Sequence, residues 1–168
     1  TNMALAATEK KEYAFRQGQI IAKEASSLGV NMIFAPVMDI NNNSDNPIIN
    51  FRSYSDDVSI VTAFGLEFIS GIQSNGLIAC PKHYPGHGDT NVDSHTSLPV
   101  INKSKEELFN NEFLPFKEAC LNGAKAIMVG HIVLPNIDSD LRPATHSPKI
   151  TDNILRKDWN YKGLIITD

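Results

Sequence analysis

The loop formed by residues 82–95 holds most of the side chains that could move protons in this sequence. It contains three histidines and two aspartates, and its two glycines and one proline favour a shaped loop over a helix. Asp93 stands two residues before His95, so in an extended or turn conformation its carboxylate can accept a hydrogen bond from one ring nitrogen. Such a contact would fix the tautomer of His95 and raise the basicity of the other nitrogen. The loop therefore predicts an acid/base pair that exchanges a proton with a substrate.

Two other interpretations of this loop stay open. It could be a metal site, because imidazole and carboxylate are common metal ligands; the candidate ligands are His83, His87, Asp89, Asp93 and His95. The loop has no HExxH motif, however. Backbone groups could also satisfy the histidines, which would make them structural. The density of ionisable groups after an apolar run favours a functional site, and we predict that it uses no metal ion or other cofactor.

Further candidates also stand at the ends of apolar runs. Lys82 ends one run, where its ammonium would point into a site, and Arg52 follows another after an Asn-rich loop. His131 follows a third. Asp168 comes directly after Leu-Ile-Ile-Thr, which suits a nucleophilic carboxylate presented by a strand. An aspartate in that position can also cap a helix, so both roles stay open for it.

A regular alternation of predicted helices and strands spaces these candidates along the chain. Near-continuous apolar runs predict strands covered on both faces at residues 31–37, 77–82, 126–132 and 163–168. A helix is predicted before each strand, beginning near residues 8, 56, 104 and 147. This order predicts βα units in a parallel sheet, either doubly wound or closed as a (β/α)₈ barrel. In both folds the candidates would collect at the carboxyl ends of the strands, and no Gly-rich phosphate loop favours the doubly wound form.

Local signals mark where these helices begin and end. Asp56 or Asp57 can cap the second helix. Ser104 and Glu107 form a capping box for the third, and Ser147 followed by a proline opens the fourth. Helix-ending glycines are Gly29, Gly76 and Gly123.

The composition is that of an ordinary globular protein and argues against two classes of partner. The 168 residues include 15 Lys and Arg against 19 Asp and Glu, for a net charge of −4. With a pI of 5.7 and no basic cluster, a nucleic-acid partner is disfavoured. No apolar run approaches the roughly 18 residues of a membrane span. Cys80 and Cys120 lie in apolar contexts, which predicts free thiols rather than a disulfide.

Five short motifs in this sequence occur together in one known enzyme family. Residues 82–90 read KHYPGHGDT and are followed by DSH at 93–95. The other four are APVMDI at 35–40, NPII at 46–49, RSY at 52–54 and GLIITD at 163–168. Together they resemble the signatures of glycoside hydrolase family 3, in particular its β-N-acetylhexosaminidase (NagZ-like) branch. The resemblance covers essentially the whole chain and implies a (β/α)₈ TIM barrel, to which this chain would contribute about four βα units.

The resemblance also implies a role for each matching residue. Asp168 would be the nucleophile that forms a glycosyl-enzyme, His95 the general acid/base and Asp93 its carboxylate partner. The residues that bind hydroxyls of the non-reducing-end sugar would be Arg52, Lys82 and His83. The implied activity is that of a retaining exo-β-N-acetylglucosaminidase, and its partner is a carbohydrate derived from peptidoglycan or chitin.

Four other functions stay open beside this one. The same fold could support a β-glucosidase, or a phosphorylase, because an imidazole acid/base repels an incoming phosphate less than a carboxylate would. A metal-dependent hydrolase and an inactive sugar-binding fragment are alternatives of another class.

The family's first two and last two barrel strands are missing, so we expect residues 1–168 to be part of a single barrel domain that contacts its flanking parts. The bacterial cytoplasm and export both stay open as compartments.

Overall fold

The computed structural model describes residues 1–90 and 97–168. Its helices and strands alternate as the sequence predicts, although the strands are shorter than the apolar runs. In chain order the elements are α1 (Asn2–Ala6), α2 (Glu12–Ser27), β1 (Met32–Ile33), a 3₁₀ turn (Asn50–Arg52), α3 (Val58–Gln73), β2 (Ile78–Ala79), α4 (Lys105–Asn110), α5 (Leu114–Leu121), β3 (Ala126–Val129), a second 3₁₀ turn (Ala144–His146), a π-helix (Lys149–Asp158) and β4 (Leu164–Thr167).

The strands lie parallel and side by side in chain order. β1 pairs with β2, and β3 pairs with β4. Beyond the regular pairing, parallel bridges join Val37 to Lys82 and Tyr84 to Val129, so that the chain after β2 connects the two pairs. Sequential order with no reversal is the arrangement of neighbouring strands in a barrel wall, whereas a doubly wound sheet reverses its order at a switch point.

The two longest helices touch through their backbones. A Cβ atom built on Gly18 of α2 would lie 2.6 Å from the Phe68 carbonyl oxygen of α3. A Cβ atom on Gly71 would lie 2.1 Å from the carbonyl oxygen of Phe15. Only glycine leaves room for so close an approach. The crossing of α2 and α3 therefore depends on a glycine from each helix.

An aromatic cluster fills the core beneath the loop that follows β2. Tyr84 belongs to that loop, and its ring centroid lies 5.7 Å from those of Phe113 and Phe116 and 5.6 Å from that of Trp159. Tyr84, Phe113 and Phe116 are fully buried. Edge-on and tilted ring pairs at this separation are favourable beyond the area they bury. The cluster ties the chemistry-bearing loop to α5 and to the π-helix.

The local signals correctly located most helix ends. The Asp57 side chain accepts hydrogen bonds from the backbone of Ser59 and Ile60 and caps α3. Ser104 and Glu107 form both bonds of the capping box of α4. The three predicted helix-ending glycines adopt positive φ angles, as a helix C-terminus requires; they are Gly29, Gly76 and Gly123.

The prediction of one continuous third helix was wrong. The structure breaks this segment into α4 and α5 between residues 110 and 114. Pro115 has no backbone N–H, so in a continuous helix it could not bond the carbonyl of Asn111. The proline instead stands in the first turn of α5, where the missing donor costs nothing.

The fourth helix also differs from its prediction. Ser147 does not cap it, because its hydroxyl donates to the Asp138 carboxylate over 2.6 Å. The segment is a π-helix, and the Trp159 N–H donates to the carbonyl of Ile154, five residues earlier. Its buried side chains recur every four to five residues, which matches this wider bonding pattern; they are Ile150, Ile154, Leu155 and Trp159.

Two further sequence expectations concern membranes and cysteines. Within the described residues, no helix has the length and apolar character needed to cross a membrane. Cys80 and Cys120 are free thiols, and burial raises the pKa of each to about 12. The thiols are therefore protonated at neutral pH, as expected of cysteines that pack as small apolar side chains.

Candidate active site

Asp39 lies at the centre of the candidate site, just after the strand segment that begins with β1. It is fully buried, and its Oδ2 atom lies 2.7 Å from Nδ1 of His83. Its carboxylate also accepts the backbone N–H of His83 at 3.2 Å and that of His87 at 2.7 Å. Burial by itself would raise the pKa of this carboxyl, but its interactions with His83 and His87 outweigh burial and leave the pKa below its usual value. Asp39 is therefore an ionised acceptor beneath the loop.

Arg52 and Lys82 share an open pocket of about 300 Å³ at the same ends of the strands. Arg52 ends the first 3₁₀ turn, and its guanidinium donates to the carbonyl of Ile48. Lys82 is held by its backbone, whose N–H donates to Pro36. Partial burial and the nearby Arg52 charge lower the pKa of the Lys82 ammonium, while the Asp168 and Asp39 carboxylates oppose this shift. Cations and carboxylates thus converge at one end of the strands.

The loop after β2 folds tightly over the end of β1. A Cβ atom on Gly88 would lie 1.6 Å from the Ile40 carbonyl oxygen, so this crossing requires glycine. The His87 ring is buried, its Nδ1 lies 2.5 Å from the Thr90 hydroxyl, and burial lowers its pKa. Asn46 from the Asn-rich loop donates to the carbonyls of His87 and Gly88. The His87 ring is thus a neutral, packed part of the loop framework.

Two ion pairs of Lys103 hold Asp89 of this loop against the helix region that follows. Lys103 contacts Asp89 at 3.0 Å and the buried Glu112 at 2.6 Å. The Glu112 and Asp89 carboxylates raise the pKa of Lys103 in spite of its partial burial. Asn42 also donates to Glu112, so the loops after β1 and β2 are joined through this carboxylate. Sequence reasoning did not identify Lys103 or Glu112, since neither stands in a motif.

Asp168 stands at the end of β4 and is exposed. Its backbone N–H donates to Val129 of β3 at 3.0 Å, and its carbonyl accepts from Nε2 of His131 at 3.0 Å. Because a carbonyl can only accept, Nε2 of His131 carries a proton. Nδ1 of the same ring lies 2.9 Å from the hydroxyl of Thr145. His131 thus connects the loop after β3 to the backbone that presents Asp168.

Asp138 organises the loop that carries Thr145. This buried carboxylate contacts Arg142 at 3.0 Å, Lys149 at 3.2 Å and the hydroxyl of Ser147 at 2.6 Å. Burial opposes ionisation, but these hydrogen bonds prevail and hold the pKa of Asp138 far below its usual value. A carboxyl with a depressed folded pKa stabilises the fold above its unfolded pKa, and that contribution is lost as pH falls through the folded pKa.

Replacing Asp138 by asparagine should therefore flatten the acid side of the stability profile. We expect the wild type to lose free energy of unfolding more steeply than Asp138→Asn as pH falls below about 5. At pH 7 the variant should be less stable by about 1–3 kcal/mol, because it leaves buried donors unpaired. Urea unfolding of the full-length protein across pH measures both effects. Asp140→Asn is the matched control, since it removes an exposed partner of the same Arg142; identical acid slopes for wild type and Asp138→Asn would refute the expectation.

Four of the six predicted site residues are described, and the fold brings them to one edge. These are Arg52, Lys82, His83 and Asp168, which all stand at or beyond the carboxyl ends of the strands. Asp93 and His95 lie outside the described residues, so their predicted acid/base role stays a prediction. Across residues 1–90 and 97–168, no three His, Cys, Asp or Glu side chains are grouped so that they could hold a metal ion.

Asp39 is a residue of the candidate site that the sequence analysis did not identify. It appears there only within the motif at residues 35–40, and no role is predicted for it. The signal that could have identified it is a lone aspartate inside the apolar segment APVMDI, since a buried carboxylate needs compensating partners. Its partner His83 lies 44 residues further along the chain, out of reach of local pattern analysis.

The comparisons with known proteins agree with this architecture. The sequence model described as "Glycosyl hydrolase family 3 N terminal domain" matches residues 1–168. A β-hexosaminidase A of Pseudoalteromonas piscicida is 38% identical over 99% of this chain, which spans 30% of that relative. The chain thus covers less than a third of that protein's length.

Two solved structures share the fold over 99% of the chain. A glycoside hydrolase family 3 β-N-acetylglucosaminidase from Paenibacillus sp. str. FPU-7 has a TM-score of 0.97 at 42% identity, and the match covers 32% of that chain. A β-glucoside phosphorylase, BglX, has a TM-score of 0.96 at 31% identity, again over 32% of its chain. The predicted fold class is confirmed, because the four βα units are part of a TIM-barrel α/β domain.

Proposed function

We propose that this chain, which belongs to glycoside hydrolase family 3, carries the sugar-binding and nucleophilic groups of a retaining exo-β-N-acetylglucosaminidase. The substrate would be a terminal β-linked N-acetylhexosamine of peptidoglycan- or chitin-derived sugars. The observation that carries the proposal is the meeting of Arg52, Lys82 and Asp168 at the carboxyl ends of the parallel strands. In barrel enzymes this edge is where substrates are bound and transformed.

Sugar binding would depend on hydrogen bonds from three side chains of the site. The Arg52 guanidinium and the Lys82 ammonium can donate hydrogen bonds to sugar hydroxyls, and the His83 ring adds a directional nitrogen. All three are held by backbone or buried contacts rather than by flexible surface packing. A site held in this way can strengthen its hydrogen bonds as the sugar distorts toward the transition state.

The chemical half pairs Asp168 with His95. An Asp168 carboxylate oxygen would attack the anomeric carbon while the glycosidic C–O bond breaks and His95 gives its proton to the leaving oxygen. In the second step His95 takes a proton from water, and the water oxygen displaces Asp168 from the anomeric carbon. Asp93 would hold His95 in the required tautomer. Two displacements at one carbon retain its configuration, as in other glycosidases that use a covalent intermediate.

We also propose that residues 1–168 are part of a single barrel domain. Large apolar side chains are exposed at both edges of the four-strand arc, where Phe34 beside β1 is 53% and Leu164 of β4 is 52% exposed. Parallel strands are normally covered on both faces and paired at their edges. Flanking βα units of the same domain would cover these surfaces, in keeping with the larger size of the relatives.

The proposal predicts turnover of an aryl β-N-acetylglucosaminide by the full-length protein. The first product seen by proton NMR should be the β-anomer, and the aryl β-glucoside should react more slowly. Exhaustive chelation should leave the rate unchanged, because no step uses a metal ion. Release of the α-anomer first, or loss of activity on chelation, would overturn the retaining, metal-free mechanism.

Phosphorolysis is the second candidate, and the likeness to a β-glucoside phosphorylase favours testing it. Arg52 and Lys82 give this edge a positive charge that would tolerate an anionic acceptor. The same assay run with and without inorganic phosphate separates the two reactions. A glycosyl 1-phosphate product would identify a phosphorylase, whereas free sugar at an unchanged rate identifies a hydrolase.

A further inference from the structure

We propose that Asp39 is a positioning residue, which holds the His83 ring as the tautomer with a proton on Nδ1 and so leaves Nε2 as an acceptor for a substrate hydroxyl. This inference rests on the proposed function, in which His83 binds the sugar. It concerns a residue that makes no contact with the reacting atoms itself.

The contacts of the carboxylate determine the tautomer. Oδ2 of Asp39 lies 2.7 Å from Nδ1 of His83, within a region from which solvent is excluded. An ionised carboxylate accepts hydrogen bonds and cannot donate them, so the shared proton belongs to Nδ1. The backbone N–H groups of His83 and His87 donate to the same carboxylate, which favours its ionised form. With its single proton on Nδ1, the His83 ring has a lone pair at Nε2, and this atom forms no hydrogen bond with any described residue.

The same residue also holds the other two sugar-binding segments. Its carbonyl accepts a hydrogen bond of 2.6 Å from the hydroxyl of Ser53, the neighbour of Arg52. The N–H of Met38, just before Asp39, donates to the carbonyl of Lys82 at 2.7 Å. The backbone around Asp39 therefore sets the positions of Arg52 and Lys82, while the carboxylate sets the ring of His83.

A purely structural role can be separated from this positioning role. The carboxylate binds two backbone N–H groups as well as the ring, so its loss would loosen the loop even if the tautomer did not matter. Replacing His83 by alanine removes the ring but retains the backbone N–H. In that background Asp39 keeps only its contacts with the backbone of the loop, because there is no ring whose tautomer it could fix. Comparing the loss of activity caused by Asp39→Asn with and without the His83 ring therefore isolates the contribution of the ring.

The kinetic test compares Asp39→Asn in the two backgrounds in the full-length protein. Asparagine has the same shape but places an amide N–H₂ against groups that are already donors. With His83 present, we expect kcat/KM on 4-nitrophenyl β-N-acetylglucosaminide to fall about 10- to 100-fold. With His83→Ala, the same substitution should cost less than about threefold. Losses that agree within about threefold in the two backgrounds would assign Asp39 to the fold alone and overturn the proposal.

A spectroscopic test needs neither a substrate nor a stable variant of Asp39. Long-range ¹H–¹⁵N spectra of protein labelled at histidine distinguish the two tautomers, and the His83 signals are assigned as those missing from His83→Ala. We expect the Nδ1–H form in the wild type and the same signals in Asp138→Asn, which loses a buried carboxylate elsewhere. An Nε2–H tautomer, or a doubly protonated ring at pH 7, would overturn the proposal. A protein inactive on every β-glycoside would refute the proposed function instead, and this measurement would still decide the role of Asp39.

Discussion

Replacing Asp168 by asparagine should lower kcat on the order of 10⁴-fold, the scale seen when an enzyme loses a member of its nucleophilic machinery. Asparagine keeps the shape of the side chain but has no negative oxygen to attack the anomeric carbon. The strand pairing should be unaffected, because the exchange keeps the backbone N–H that donates to Val129. Steady-state kinetics of the full-length protein on an aryl β-N-acetylglucosaminide measures the loss.

A small external nucleophile provides the positive control. In Asp168→Ala, azide can occupy the space of the lost carboxylate and attack the anomeric carbon from the same face, expelling the aryl oxide. The product is then a glycosyl azide of inverted configuration. Asp152→Asn, a carboxylate change on the exposed side of the π-helix, should retain full activity. Undiminished turnover by Asp168→Asn would remove this residue from the mechanism.

Replacing Phe116 by alanine should reduce the free energy of unfolding by about 3–5 kcal/mol, because it leaves a cavity in the aromatic cluster. Phe116 is fully buried against Tyr84. The neighbouring His83 should lose its alignment when Tyr84 shifts toward the cavity, so kcat/KM should fall as well. Urea unfolding and steady-state kinetics measure the two effects.

Two variants test whether the cavity is the cause. Phe116→Leu keeps most of the apolar volume and should cost clearly less than Phe116→Ala. Leu121→Ala truncates a side chain of the same helix that is 60% exposed, and it should change the stability by less than about 0.5 kcal/mol. Equal losses for Phe116→Ala and Leu121→Ala would show that the cluster does not support the site.

The helix ends could be predicted because their causes are local. Asp57 bonds backbone groups two and three residues away, and the capping box of Ser104 and Glu107 spans three. Such contacts form whatever surrounds them, so residue type and spacing identify them. Apolar runs located the strands for the same reason. Their shorter paired length reflects the fold, since pairing depends on a neighbouring strand.

The contacts that build the site could not be predicted in this way. Asp39 and His83 meet only because two parallel strands lie side by side, and Lys103 contacts Asp89 only in the folded chain. For Ser147 the local pattern predicted a helix cap that does not form. Its hydroxyl donates instead to the Asp138 carboxylate, which lies outside the helix. The family motifs supplied Arg52, Lys82 and His83 as a set, but not Asp39, whose carboxylate contacts His83.

The glycine contact between α2 and α3 reverses a common rule of protein engineering. Exchanging a helical glycine for alanine usually stabilises a protein by about 0.5–1 kcal/mol. At Gly18 or Gly71 the added methyl group would meet a backbone carbonyl of the other helix, so the exchange would force the pair apart. Two helices in backbone contact can open to solvent only together, so their amide protons should exchange as one cooperative unit. We therefore expect α2 and α3, which lie beside β1 and β2, to open to solvent only as a pair. The candidate site at the carboxyl ends of these strands is then supported by two helices that move as one unit.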